Sequence, residues 1–171
     1  SQFNTNFNLA TQITDGLVLQ GMGLTNVYDH FLKSSTSLSN KMLGAQITMN
    51  NTTVPFVLSY TDADELYDFP MNFNDNNTST FALGADLSTL GIPLQISING
   101  QRVKLVEGWG TLITPFGTFN NTLKLKSTVT QTTSTTYNGT NQTVDQTTIT
   151  YQWFDPAYKI PVLEASGNEV N

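Results

Sequence analysis

Residues 94–163 constrain the fold more than any other part of this 171-residue chain. They alternate apolar and polar side chains with period two, between turn dipeptides, as antiparallel strands do. Asn99-Gly100 lies between residues 94–98 and 101–105. A type I′ turn needs φ > 0 at both central residues, and Asn-Gly suits it best. The predicted two-residue loop sets Ile98 opposite Gln101, Ile96 opposite Val103 and Leu94 opposite Leu105. The apolar residues then share one face, with Arg102 and Lys104 on the other.

The last hairpin yields to the same reasoning. Residues 122–136 carry Leu123, Leu125 and Val129 on one face and Lys124, Lys126 and Thr128 on the other. Residues 143–154 return with Ile149, Tyr151 and Trp153 on one face. A two-residue Asn138-Gly139 loop opposes Val129 to Thr148, the wrong parity if both apolar faces form the core. A three-residue loop, Asn138-Gly139-Thr140, opposes Val129 to Ile149 and Leu125 to Trp153. It is the predicted loop, with Gly139 at φ > 0 beside a bulge and Trp153 in the core. Thr114-Pro115-Phe116-Gly117 has Pro at i+1 and Gly at i+3, a type I signature. It turns residues 108–113 back onto a strand beginning near Phe119.

The N-terminal half is less regular. Residues 1–15 are Asn-rich, with Phe3, Phe7 and Leu9 alternating, and form either an edge strand or an arm that docks on a partner. Residues 17–24, punctuated by glycines, are expected to be extended. Val27, Tyr28, Phe31 and Leu32 fall at helical spacing behind Asn26 as a cap, which predicts one short helix near residues 26–33. Residues 40–49 and 53–60 form a strand pair around Asn50-Asn51, residues 62–77 a loop and residues 78–87 a further strand. No repeat or linker interrupts the chain, so one β-rich domain over residues 1–171 is expected, with residues 167–171 leading out of it. The fold class is all-β, a curved antiparallel sheet or β-sandwich built from hairpins.

Composition removes several functions. Charged residues make up 12% of the chain, about half the usual share, and Thr and Asn take their place. Seven Lys and Arg against thirteen Asp and Glu leave a net charge of −6. That argues against a phosphate-binding surface, hence against nucleic acid, and against docking on anionic lipid. There is no cysteine, so disulfides, thiolate nucleophiles and zinc–thiolate sites are excluded. No run approaches the roughly 18 apolar residues of a membrane helix, so no membrane insertion is expected. The sequons at Asn50, Asn51, Asn76, Asn77, Asn120, Asn138 and Asn141 carry little weight in so Asn- and Thr-rich a chain. The Ser1 start reads as that of a mature or trimmed chain.

Candidate chemistry is sparse. His30 is the single histidine and is assigned a structural or surface role; no Gly-X-Ser-X-Gly elbow accompanies it. Asp62-Ala63-Asp64 starts like a calcium loop, but Tyr67 stands at its sixth position and Phe73 at its twelfth, where an EF-hand needs Gly and Glu. A looser Ca²⁺ site at Asp62, Asp64 and Asp68 is the metal candidate; no other cofactor is expected. Carboxylate pairs also serve glycoside hydrolysis, although spacing alone shows no such pair across a cleft. Trp109, Tyr151 and Trp153 read first as core and second as a sugar-stacking platform. Phe154 and Tyr158, beside Asp155-Pro156, are the ligand-binding candidates.

The run Gly108-Trp109-Gly110-Thr111-Leu112-Ile113-Thr114-Pro115-Phe116-Gly117-Thr118-Phe119, followed by Leu123-Lys124-Leu125-Lys126, resembles a segment of secreted Bacteroidota surface proteins, cargo of type IX secretion. That segment reads Gly-aromatic-Gly-Thr/Ser-Leu-X-X-Pro-X-Gly-Thr-aromatic. Tyr151-Gln152-Trp153-Phe154-Asp155 and Ile160-Pro161-Val162-Leu163 are similar to the family's closing segment, and Tyr67-Asp68-Phe69-Pro70-Met71 is similar more weakly. The resemblance spans roughly residues 65–165. It implies export and implies no activity or catalytic residue. The sorting domain such proteins often carry is not in this sequence, which implies a processed or trimmed form. Residues 151–156 also resemble the closing segment of lipoprotein-carrier folds, an analogy of fold.

The leading expectation is therefore a non-enzymatic extracellular or cell-surface component that binds another surface protein or a glycan. A carrier of lipid or another hydrophobic ligand is the alternative, and a carbohydrate-active hydrolase the second alternative.

Overall fold

A computed structural model describes residues 7–13, 18–19, 22–49, 52–88 and 91–169. Ten strands carry nearly all of the regular structure, and the described residues contain no α-helix. They are β1 (Leu9–Ile13), β2 (Val18–Leu19), β3 (Met22–Lys33), β4 (Ser37–Met49), β5 (Thr52–Asp68), β6 (Asn76–Asp86), β7 (Leu94–Thr114), β8 (Gly117–Tyr137), β9 (Thr140–Phe154) and β10 (Leu163–Asn168). Their hydrogen-bonded order is β1-β3-β4-β5-β6-β7-β8-β9-β10, with β2 on β3. From β3 onward each strand pairs with its successor, and the recorded pairings are antiparallel. The all-β expectation holds.

The chain forms two compact units. Unit 1 comprises Ser1–Phe69, Thr80–Asn99 and Thr133–Val144; unit 2 comprises Pro70–Ser79, Gly100–Thr132 and Asp145–Asn171. Unit 1 holds most of the buried apolar side chains, among them Leu24, Val27, Ile47, Phe56, Leu58, Phe81, Leu83, Leu87, Ile92, Leu94 and Ile96. Unit 2 buries Val106 and Leu125, beside the polar Lys104, Thr122 and Ser127.

The predicted helix near residues 26–33 is strand β3 instead. Its pairing with β4 shows why the spacing misleads. Thr25 pairs with Gln46 and Tyr28 with Gly44, so β3 spends three residues where β4 spends two. Asn26, at φ 48°, takes the left-handed conformation of the extra residue. Leu24, Val27 and His30 consequently bury at intervals of three, which imitates one face of a helix. The predicted loop over residues 62–77 is also shorter. Strand β5 runs to Asp68 and β6 starts at Asn76.

Asn99-Gly100 makes no turn. Strand β7 passes straight through it, and neither residue has positive φ. Leu94, Ile96, Lys104 and Val106 bury on the even-numbered side, while Val103 and Leu105 are exposed. The predicted sharing of a face by Ile96 and Val103 is therefore wrong.

The last hairpin closes with two residues, not three. Asn138 (φ 48°) and Gly139 (φ 79°) both lie in the left-handed region, as a type I′ turn requires. In unit 1 the Ser134 and Thr143 hydroxyls meet at 3.3 Å. In unit 2 Thr132 Oγ1 donates to Asp145 at 2.6 Å, and Thr130 and Thr147 meet at 3.4 Å. In that register Trp153 lies across from Lys124, and buried Leu125 points to the opposite face. The parity rule was sound; the premise that Trp153 shares the core face of Leu125 was not. The Pro115-Phe116 turn is present, and β8 begins directly after it at Gly117.

The remaining expectations divide. Strands β4 and β5 pair antiparallel down to Met49–Thr52; Asn50 and Asn51, around which the pair was expected, lie outside the described residues. Strand β6 occupies the place expected for a strand. β1 is an edge strand on β3; Phe3, like Gly16 and Gly21, lies outside the described residues. Gly167 and Asn168 belong to β10, paired with Ile149 and Thr148, so the chain is still within the sheet where an exit was expected. Residues 170–171 are outside the described set.

Candidate functional site: an exposed apolar surface on unit 2

Unit 2 leaves far more large apolar side chains in solvent than it buries. Trp109 is 74% exposed, Ile113 78% and Phe116 96%, all at the β7–β8 end. Val103, Leu105, Tyr158, Ile160 and Leu163 are exposed as well. The local sequence forces this at the turn. Pro115 and Phe116 form the two-residue loop, and Thr114 Oγ1 receives the Phe116 amide at 3.2 Å while donating to the Gly117 carbonyl at 3.2 Å. The loop is pinned and Phe116 projects from it. Trp109 does not enter the core as expected.

The sheet surface behind this end is mixed. Lys124 Nζ is 2.6 Å from Glu107 Oε1 and lies over the rings of Tyr151 (4.4 Å) and Trp153 (5.5 Å). Lys126 Nζ lies 6.0 Å from the Tyr151 centroid. Trp153 pairs across the sheet with Leu163 and Tyr151 with Ala165. A recess of about 180 Å³ beside them is lined by Gly108, Trp109, Gly110, Leu112, Thr122, Lys124 and Trp153. These are two rings of the aromatic platform considered as a sugar site, and the Lys124 ammonium lies over a face of each.

These contacts revise one expectation. Read from sequence, Lys124→Ala should be nearly neutral. With an ion pair and two ring contacts, it is expected to cost about 1 kcal/mol, discounted for the exposure of the pair. Lys124→Arg should retain most of that. Chemical denaturation of both variants measures the difference.

The ligand-binding candidates lie in the same unit. Phe154 closes β9, and Tyr158, exposed in the following loop, meets the Phe119 ring edge-on at 5.6 Å. The candidate Ca²⁺ ligands in unit 1 are not gathered into a site. Asp62, Asp64 and Asp68 lie along β5, and Asp62 accepts a 2.6 Å hydrogen bond from Thr80 Oγ1. No group of three or more His, Cys, Asp or Glu among the described residues is placed to hold a metal.

Unit 1 has its own recess, of about 560 Å³, lined among others by Phe7, Tyr28, His30, Met42, Gly44, Pro55, Phe56 and Val57. His30 is buried at its edge, 4.8 Å from the Phe7 ring, in the structural position expected of it. The sequence signal for this recess was Gly44. A Cβ there would stand 3.4 Å from His30 Cε1. Compared with protein-family models, curated proteins and solved structures, the chain matches none of them.

Proposed function

We propose that this chain is a non-enzymatic extracellular or cell-surface component whose unit 2 binds a protein partner. The carrying observation is the exposure of Trp109, Ile113 and Phe116 together on a pinned hairpin end. Contiguous exposed apolar surface with a polar rim is the usual mark of a protein contact, and Trp is enriched among the residues that dominate binding energy. A protein is favoured over a glycan because Lys124 already covers Tyr151 and Trp153. Export, to the cell exterior of a Bacteroidota species, is supported by the family resemblance of residues 65–165 and by the charge-poor, Thr-rich surface.

A photo-crosslinking side chain at Phe116, in the host, tests the reading against the same group at Val144, an exposed unit 1 position. The expected result is one discrete adduct from Phe116 and none from Val144, with the Ile113→Ser/Phe116→Ser variant losing at least about tenfold in affinity. Equal labelling at both positions overturns it. So does turnover of a hydrolase substrate that one carboxylate substitution abolishes.

The carrier reading has one observation in its favour, the apolar recess beside Tyr28 and Met42. Its test is native mass spectrometry of the purified protein for a retained hydrophobic ligand, displaced by Gly44→Leu.

A further inference from the structure

Strand β10 ends the sheet order, and among the described residues β9 is its one hydrogen-bonded neighbour. All six of its residues are exposed. They pair with β9 from Leu163–Trp153 to Asn168–Thr148 without a register shift. The Glu169 amide donates to the Thr147 carbonyl at 2.9 Å, one step beyond that ladder. Bonded residues alternate along an antiparallel pair, so Ala165, Gly167 and Glu169 turn their N–H and C=O to β9. Glu164, Ser166 and Asn168 turn theirs outward, to an open edge. Sheets usually blunt such an edge with Lys, Pro or a bulge. Residues 163–169 hold none of these, and their two charges, Glu164 and Glu169, stand near the ends.

The side chains of the outward-turned residues share one face, and β9 uses only part of their bonding capacity. Asn168 Oδ1 accepts from Gln146 Nε2 at 3.1 Å and from Thr148 Oγ1 at 2.8 Å, which leaves its amide NH2 as a donor. Glu164 Oε2 accepts from Gln152 Nε2 at 2.7 Å, which leaves Oε1 as an acceptor. The Ser166 hydroxyl stands midway between them and meets Thr150 Oγ1 at 3.0 Å. A donor at one end, an acceptor at the other and a hydroxyl, which is both, in the middle form a pattern that complements itself when the strand is reversed. A two-fold contact between identical surfaces requires that property.

We propose that β10 pairs antiparallel with β10 of a second copy of this chain, around a two-fold axis at Ser166. The outward N–H and C=O groups of Glu164, Ser166 and Asn168 then meet those of Asn168, Ser166 and Glu164 of the second copy. On their face the Asn168 NH2 donates to Glu164 Oε1 of the second copy, and the symmetry repeats the bond. On the opposite face Ala165 meets Gly167, small against small, so no side chain holds the strands apart. No like charges stand opposite one another. The contact uses none of Trp109, Ile113 and Phe116, so it is independent of the proposed partner surface.

Sedimentation of the whole chain from micromolar to millimolar concentration tests it. A reversible monomer–dimer equilibrium is expected, weak because a single strand edge is a small interface. Ser166→Pro removes an outward N–H that β9 does not use, and is expected to abolish dimerisation with the circular dichroism spectrum unchanged. Asn168→Asp keeps an acceptor for Gln146 and Thr148 but sets a carboxylate against Glu164 of the second copy. It should weaken the dimer at least about tenfold, and it decides the matter where proline disturbs the fold. Adding Glu164→Gln restores a donor opposite that carboxylate and should return the affinity to within about threefold of the unmodified chain. A monomer at every concentration overturns the proposal, as do assemblies larger than a dimer. An undiminished dimer in Asn168→Asp or in folded Ser166→Pro overturns it too, as does the absence of recovery in the double variant.

Discussion

Replacing Leu94 with alanine is expected to cost about 2–5 kcal/mol, the range for truncating a large aliphatic side chain in a core that only partly relaxes. Leu94 is 0% exposed. It starts β7 beside a tight connection in which its carbonyl accepts the Leu87 amide at 2.9 Å and its amide donates to the Ile92 carbonyl at 2.7 Å. Val103→Ala, further along the same strand, is expected to stay within about 0.5 kcal/mol because that side chain is 41% exposed. The pair discriminates between an uninterrupted strand and a hairpin at Asn99-Gly100. In a hairpin Val103 lies across from buried Ile96 and its truncation is felt. Denaturant midpoints at unchanged m-value read out both costs.

Residues 94–106 show where sequence reasoning was sound and where it was not. Leu94, Ile96 and Ile98 alternate as expected, and the strand is there. The error lay in letting a local turn preference end it. Running on through Asn99-Gly100 leaves β7 one strand of 21 residues with β6 and β8 as its hydrogen-bonded neighbours, and many ladder bonds outweigh one favourable turn. Gly100, Arg102 and Lys104 continue the even-numbered side, which alternation by hydrophobicity alone does not reveal. Asn138-Gly139, the same dipeptide, does form the turn. On the β9 side Thr140 and Thr143 are short and exposed and can pair across that end without displacing core residues.

The helix at residues 26–33 failed for a different reason. A bulge converts period two into local period three, and Asn26 is equally suited to capping a helix and to the left-handed position of a bulge. Only the partner strand distinguishes them. The exposed surface of unit 2 was illegible for a related reason, since Trp109 read as core until the small interior of that unit is seen, and nothing in the spacing of Ile113 and Phe116 said that they join it at the surface. The register shifts at Lys41 and over residues 60–63 of β5 are likewise encoded by no spacing in the sequence.

Two glycines should respond to alanine with opposite signs. Gly84 lies in β6 without positive φ, so its backbone places no demand for glycine. A Cβ at Gly84 would stand 2.7 Å from the Ile96 carbonyl oxygen and 3.6 Å from Ser97 Cα. Both obstacles are backbone of β7, which cannot rotate aside as a side chain can. Gly84→Ala is therefore expected to destabilise by about 1–3 kcal/mol, the cost of overpacking against a fixed neighbour, and Gly84→Val by more. Gly108→Ala meets only the Lys124 stem, at 3.5 Å, an ordinary contact. There the smaller entropy of the unfolded alanine chain should leave the protein unchanged or more stable by about 0.4–1 kcal/mol. Equilibrium unfolding of the two variants side by side decides the matter. If both shift in the same direction, the close approach of β6 to the Ile96 carbonyl is not what keeps glycine at position 84.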